Sequence, residues 1–371
     1  MRDTGYRILA DGVTASNDTW ATGLASHDLI IGPTGGGKTR GYVLPNLLST
    51  QESCIVADSK GTLRRQVGGI LERRGFRVLE LDFTDLMHST WGYNPLRFIR
   101  YDEQRECWNE QDIITVAAAL VPVEDRAQPF WEYAARNLLE ALIGYTLECL
   151  PAEEHDLTSV ARLFAEAETG ILDEFMGELC TIAPESFAAM RWRSLQTCRR
   201  ADKMYGSILG ILTQKVSNFS FAGARELFTN LNQIDFAAIS HTPTAVFVRV
   251  SDNDFSLANL TSLFYTQALQ MLMAEADKQS DNRLKVPVRL YLDDFANLLV
   301  PDMDKIISVI RSREISVSIV LQNITQLEGL YGRAKAMTIV DNCDHLLYLG
   351  GQSVETVSYT HLRAHETGRN L

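Results

Sequence analysis

Eight consecutive residues, Gly32-Pro33-Thr34-Gly35-Gly36-Gly37-Lys38-Thr39, fit G-x-x-x-x-G-K-[ST] at every fixed position. Glycines at these positions let the backbone wrap inward so that successive N–H groups converge on a phosphate. A helix starting near Lys38 adds its positive dipole end. Lys38 is placed to neutralise β- and γ-phosphates, and Thr39 to hold Mg²⁺ through its hydroxyl. The plain alternative, a glycine-rich turn with an incidental lysine, leaves the strand before it and the helical pattern after it unexplained. A second segment supplies acid. The apolar run Leu290-Tyr291-Leu292 ends in Asp293-Asp294. Asp293 is expected to bind Mg²⁺ through water, and Asp294 to orient or deprotonate an attacking water; alternatively both cap the following turn. Gln322 follows the run 316–321 and either senses the γ-phosphate or caps the strand end. Arg311 and Arg313 precede that run, as a solvated face or as charge-stabilising arginines for a neighbour's nucleotide. From Lys38 to Asp293 is 255 residues, too far for a compact kinase or small GTPase.

The elements that must position these groups read as an interrupted α/β domain. Strand-like runs occupy 29–31, 54–57 and 76–81, with a helical pattern over 63–74 closed by Gly75. Strand, helix and strand joined by short links predict a parallel sheet. From residue 101 to 239 the periodicity is helical, clearest over 131–150, 157–169 and 202–218. Strand texture returns at 245–250, a long helix follows over 257–276, and further strands are expected at 288–292, 316–321 and 346–349. The predicted organisation is therefore a discontinuous nucleotide-binding domain, 1–100 and 240–358, carrying an all-α insertion over 101–239.

With 46% hydrophobic and 22% charged residues among 371, the chain has globular composition, which excludes disordered, collagenous and low-complexity classes. Lys plus Arg is 35 and Asp plus Glu is 47, so the net charge is −12 and a strongly basic DNA-coating protein is excluded. DNA contact is then confined to a local basic patch or a lined pore. Lys60, on the loop after the second strand, is a lead for such a lining. The insertion holds the densest cluster of cations, Arg191, Arg193, Arg199, Arg200 and Lys203, with Trp192 and Tyr205 between them. That combination suits a single-stranded nucleic acid or a protein partner, or else is a solvated helix face over two core aromatics. No apolar run reaches the ~18 residues of a membrane span, and no signal peptide is visible. The cysteines at 54, 107, 149, 180, 198 and 343 never approach CxxC spacing and read as buried thiols.

Several segments carry a family resemblance: Gly35 to Arg40 with Pro45-Asn46-Leu47, Asp58-Ser59-Lys60-Gly61, Tyr93-Asn94-Pro95-Leu96, Leu292 to Asn297, Arg311-Ser312-Arg313, Gln322 to Leu327 and Leu349-Gly350-Gly351. In this order, over about residues 5–358, the sequence resembles a type IV secretion coupling protein. This is the conjugative DNA-transfer ATPase of the TraG/TraD class, in the form found on Gram-positive mobile elements. The resemblance implies a RecA-like P-loop domain with an inserted all-α domain, using ATP and Mg²⁺. It implies a homo-hexameric ring at the cytoplasmic face of the bacterial membrane, pumping single-stranded DNA led by a relaxase towards the secretion channel. In such rings ATP sits between subunits, and the family pattern places the trans-acting arginine nearest Arg313. The acid pair, often Asp-Glu in the family, is here Asp-Asp, so Asp294 is expected to reach the nucleophile through an extra water. The usual Asp-Pro-Lys-Gly keeps Asp58 and Lys60 without the proline. Family members usually begin with a membrane anchor, and none precedes Gly5; the expectation is a fragment or a separately encoded anchor. Residues 359–371 resemble a translated sequencing adapter and are expected to be a non-native tail. Two other readings compete with conjugative pumping: an FtsK/HerA-like DNA pump outside conjugation, and a nucleotide-regulated scaffold that recruits relaxase without pumping.

Overall fold

Eleven strands organise the computed structural model, which describes residues 5–124, 127–251, 253–351 and 356. Those in the main sheet are β3 (Asp28–Ile31), β4 (Ser53–Ala57), β5 (Arg77–Asp82), β8 (Thr244–Arg249), β9 (Val288–Leu292), β10 (Ile315–Leu321) and β11 (His345–Tyr348). All run parallel, in the order β11-β3-β10-β9-β4-β8-β5. A parallel sheet is covered on both faces, so its inner strands are apolar throughout instead of alternating. β3, β4, β9 and β10 are buried at every residue. β5 lies at an edge and retains the alternating pattern. Two short hairpins complete the set: β1 (Tyr6–Ala10) with β2 (Val13–Ser16), and β6 (Tyr101–Asp102) with β7 (Cys107–Trp108).

The expected strands and the helix Thr62–Arg73 are present. Gly75, at φ 90°, ends that helix, with its N–H on Glu72 O and the Phe76 N–H on Leu71 O. The hairpin β1–β2 was not anticipated, because an arginine interrupts its apolar pattern. Arg7 is buried, its Nε 2.7 Å from Asp28 Oδ2 at the base of β3.

That contact belongs to a buried ionic cluster beneath the sheet. Arg289, on β9 and fully buried, places Nε 2.9 Å from Glu52 Oε2 and Nη1 3.4 Å from Asp28 Oδ2. Nη1 also donates to Ser26 O at 2.9 Å and Ser318 Oγ at 3.3 Å. One guanidinium thereby joins β9 to the lower ends of β3 and β4 and to the middle of β10. Burial pushes the Asp28 carboxyl up, but the His345 hydrogen bond and the charges of Arg7 and Arg289 outweigh it and hold it below the ordinary range.

Tertiary contacts divide the chain into two units, one of residues 1–84, 235–255 and 268–371, the other of 85–234 and 256–267. The helical unit thus starts earlier than the expected residue 101 and takes in the first part of the helix Ala258–Asp277. The reason is local pairing around Tyr93. Gly92 N–H donates to Asn232 O at 2.7 Å, and the Tyr93 hydroxyl to Gln267 Oε1 at 2.6 Å. Within this unit the helices Phe130–Cys149 and Phe187–Ser194 approach closely at Gly144, where a Cβ would lie 3.1 Å from Ala188 Cβ. Among the described residues, no helix is long and apolar enough to cross a membrane. Cys54 and Cys343 are buried as expected, but Cys107 and Cys149 are exposed. The segment 359–371 lies outside the described residues.

Candidate active site

Residues Gly32 to Thr39 form the turn leaving β3 at the C-terminal edge of the sheet, where open parallel sheets bind ligands. Gly32 N–H still donates to Leu321 O at 3.1 Å, so the loop starts in register with β10. Gly36 N–H then donates to Pro33 O at 3.0 Å and closes a tight turn. Gly35 and Gly37 have φ of 78° and 85°, which any side chain would strain. Thr34 is exposed at the rim. Lys38 is buried and folds back over the loop, donating from Nζ to Gly32 O at 2.8 Å and Pro33 O at 3.0 Å. A single positive charge therefore sits at the centre of the cradle.

The helix after the loop opens with a π turn, Thr39–Val43, in which Leu44 N–H bonds to Thr39 O. Pro45 explains it. Proline has no N–H for Gly41 O and its ring would crowd that carbonyl, so the backbone widens before Leu44–Ser49 continues as α-helix.

The acid pair meets the loop directly. Thr39 Oγ1 donates to Asp293 Oδ2 at 2.6 Å, and Asp294 N–H to Asp293 Oδ1 at 3.1 Å. Burial, with the Asp294 charge adding, pushes the Asp293 carboxyl above its ordinary range despite the Thr39 hydrogen bond and Lys38. A hydroxyl beside a desolvated carboxylate is a hard-oxygen set that suits Mg²⁺, whose charge favours the ionised acid. Asp294 has φ 52°, a left-handed conformation that aspartate tolerates better than most residues.

β10 lies between β3 and β9, so Gln322 emerges between the phosphate loop and the acids. Gln322 lines a cavity of about 560 Å³ with Gly35, Lys38, Asp293, Asp294 and Lys60. Gly32 and Pro33 lie outside its lining, but of the residues picked from sequence Thr34 to Thr39, Asp293, Asp294, Gln322 and Lys60 thus share one cavity.

Arg313 does not. As an arginine entering the Gln322 strand it would be looked for near the nucleotide edge, but β10 runs parallel to β3, and Arg313 precedes its first residue. It therefore sits at the opposite edge, about 20 Å away along a seven-residue strand. There it forms a two-point pair with Asp277, Nε–Oδ1 at 2.8 Å and Nη2–Oδ2 at 3.2 Å.

The basic cluster of the helical unit is largely engaged. Arg191 pairs with buried Glu140 at 2.8 Å and stacks on Phe187. Arg193 donates to Pro184 O. Arg199 pairs with Asp173 and lies 4.0 Å over the ring of Trp192, which is buried. Arg200 and Lys203 are exposed. Trp192 therefore serves packing and presents no open stacking platform.

Residues 4–363 match the family described as type IV secretory system conjugative DNA transfer. Over 342 residues the chain is 24% identical to the protein VirD4 of Agrobacterium fabrum, covering 90% of this chain and 48% of that one. Over 338 residues it is 23% identical to the conjugal transfer protein TraG of Escherichia coli, covering 85% and 51%. The chain thus spans about half the length of the curated relatives it matches. Among solved structures, the bacterial conjugative coupling protein TrwB in its unbound form superposes with a TM-score of 0.66 at 18% identity, covering 96% of this chain and 75% of that one. TrwB in complex with ADP and Mg²⁺ gives 0.66 at 18% identity, covering 95% and 76%. The fold is the RecA-like P-loop fold of those structures, and the chain belongs to the type IV secretory system conjugative DNA-transfer family.

Proposed function

We propose that this chain is the ATP-hydrolysing motor part of a coupling protein that moves DNA through a conjugative type IV secretion system. The observation that carries the reading is the 2.6 Å hydrogen bond from Thr39 to Asp293, which links the phosphate loop to the acid strand in a chain of this family. Lys38 binds the β- and γ-phosphates from the loop's centre, and Thr39 with Asp293 holds Mg²⁺. When bound, the ion draws charge from the phosphate oxygens. Asp294 orients or deprotonates the attacking water, and Gln322 senses the γ-phosphate. The partners proposed are single-stranded DNA, a relaxase and the secretion channel, at the cytoplasmic face of the membrane. DNA-stimulated ATP turnover that disappears in Asp293→Asn is the expected result. Nucleotide binding without turnover, with or without DNA, would favour a scaffold that recruits relaxase instead.

Arg313 is proposed to complete a neighbouring subunit's site in a hexamer. Its pair with Asp277 is partly exposed, and such pairs contribute about 0–1 kcal/mol, so releasing it costs little. Mixing Arg313→Ala with Lys38→Ala chains is expected to restore part of the activity that each lacks, because a mixed interface carries both intact groups. Specific activity should rise with protein concentration. Activity independent of concentration, with no rescue on mixing, would mean the site is completed within one chain.

A further inference from the structure

We propose that Lys60 is a second phosphate lysine of the same chain, placed to donate to the terminal phosphate of a nucleoside triphosphate. This inference rests on the nucleotide reading above and deepens it.

Lys60 lines the loop cavity and also a second cavity of about 290 Å³ beside it. Both are bordered by Thr39, Arg40, Asp293 and Asp294. Lys60 therefore borders the space that the groups assigned to metal and water also line. Its side chain is exposed, and among the described residues it forms no ion pair.

The backbone that carries Lys60 is held from three sides. Gly61 N–H donates to Asp58 O at 3.1 Å, which makes residues 58–61 a closed turn. The buried Asp58 carboxylate accepts from Thr62 N–H at 3.0 Å and Arg64 N–H at 2.9 Å, fixing the turn to the next helix. Gly61 has φ 60°, and a Cβ there would lie 2.9 Å from Arg249 Nε, whose guanidinium is in turn paired with Asp82 at 2.5 Å. A flexible side chain on a fixed turn can reach one place repeatedly.

The charge balance favours phosphate. Asp293 and Asp294 face this space, and Lys38 is already bonded to two loop carbonyls. A triphosphate adds further negative charge on the acid side, and Lys60, with Arg40 beside it, is a cation that borders this space and can offset it. In the nucleotide reading above the third phosphate is the one that faces the acids, so Lys60 should read it.

The experiment compares the affinity of the full chain for Mg²⁺-ADP and for the Mg²⁺ complex of the non-hydrolysable triphosphate ADPNP, by calorimetric titration. Lys60→Ala is expected to weaken ADPNP about 10- to 100-fold, the range of a hydrogen bond to a charged group, while ADP changes less than about twofold. Lys60→Arg should retain most of the triphosphate preference. ADPNP binding unchanged in Lys60→Ala would overturn the proposal. The same holds if the loss appears instead in DNA affinity and its salt dependence, which would place Lys60 on a DNA path. Wild-type protein that binds neither nucleotide would overturn the nucleotide reading itself, and this inference with it.

Discussion

Replacing Lys38 with alanine is expected to lower ATP turnover about 10²–10³-fold, the usual cost of removing one preorganised donor aimed at developing charge. Lys38 is the one cation inside the loop's turn, and its Nζ is held by Gly32 O and Pro33 O at 2.8 and 3.0 Å. These carbonyls lie in the loop itself, so the variant should fold, with melting changed by no more than about 4 °C. The nucleotide-dependent rise in melting temperature should go with the activity. For a ligand at 100 times its dissociation constant that rise reflects about 2.7 kcal/mol. Steady-state hydrolysis equal to wild type would remove the assignment of the phosphate site. A melting drop well beyond 4 °C would show instead that the lysine's carbonyl contacts hold the fold.

What could be read from the sequence was local. The phosphate loop is contiguous, and its glycines, lysine and threonine announce their geometry through residue type. Asp293 was legible because an apolar five-residue strand ends on it. Gln322 was placed by the same logic, although its position between loop and acids depends on strand order, which no local pattern states. Arg313 was misplaced for that reason: nothing near it in sequence says which end of a parallel strand faces the nucleotide. The basic cluster was left open between a binding face and a solvated helix face over core aromatics, and buried Trp192 agrees with the second. Arg191 and Arg199 are spaced like a phosphate-binding face, but their partners Glu140 and Asp173 lie on other helices. Lys60 was read only as a lead for a DNA lining, because no local pattern places its turn beside the phosphate loop. Arg7 and Arg289 gave no functional signal, because an isolated arginine in an apolar run carries no mark of the distant carboxylate it meets.

Substituting Arg289 by methionine is expected to destabilise the sheet unit by about 3–5 kcal/mol, the cost of leaving a buried charge without its partner. Glu52 is the charge concerned: it is buried, and its ion pair is with Arg289 at 2.9 Å. Asp28 is less affected because Arg7 remains 2.7 Å away. The loss should therefore be largely relieved by adding Glu52→Gln, which removes the stranded carboxylate. A double-mutant cycle by urea unfolding would show this as strong coupling. The same region makes the unit acid-sensitive. His27 accepts from Val317 N–H at Nδ1 and lies 3.2 Å from Ile307 O at Nε2, so the neutral ring carries its proton on Nε2. Burial, then the Arg289 charge, lowers its pKa from 6.5 to about 3. A base lowered on folding contributes stability that is full above about pH 6.5 and is lost as pH falls towards 3. The consequence for function follows from the strands that Arg289 joins. β3, β4, β9 and β10 carry at their upper ends the phosphate loop, the Lys60 turn, Asp293 and Gln322, so a clamp that ties these four strands is expected to hold the four groups in register. A single variant that costs less than about 1 kcal/mol, or a double variant no more stable than Arg289→Met alone, would show that strand packing aligns the site without the clamp.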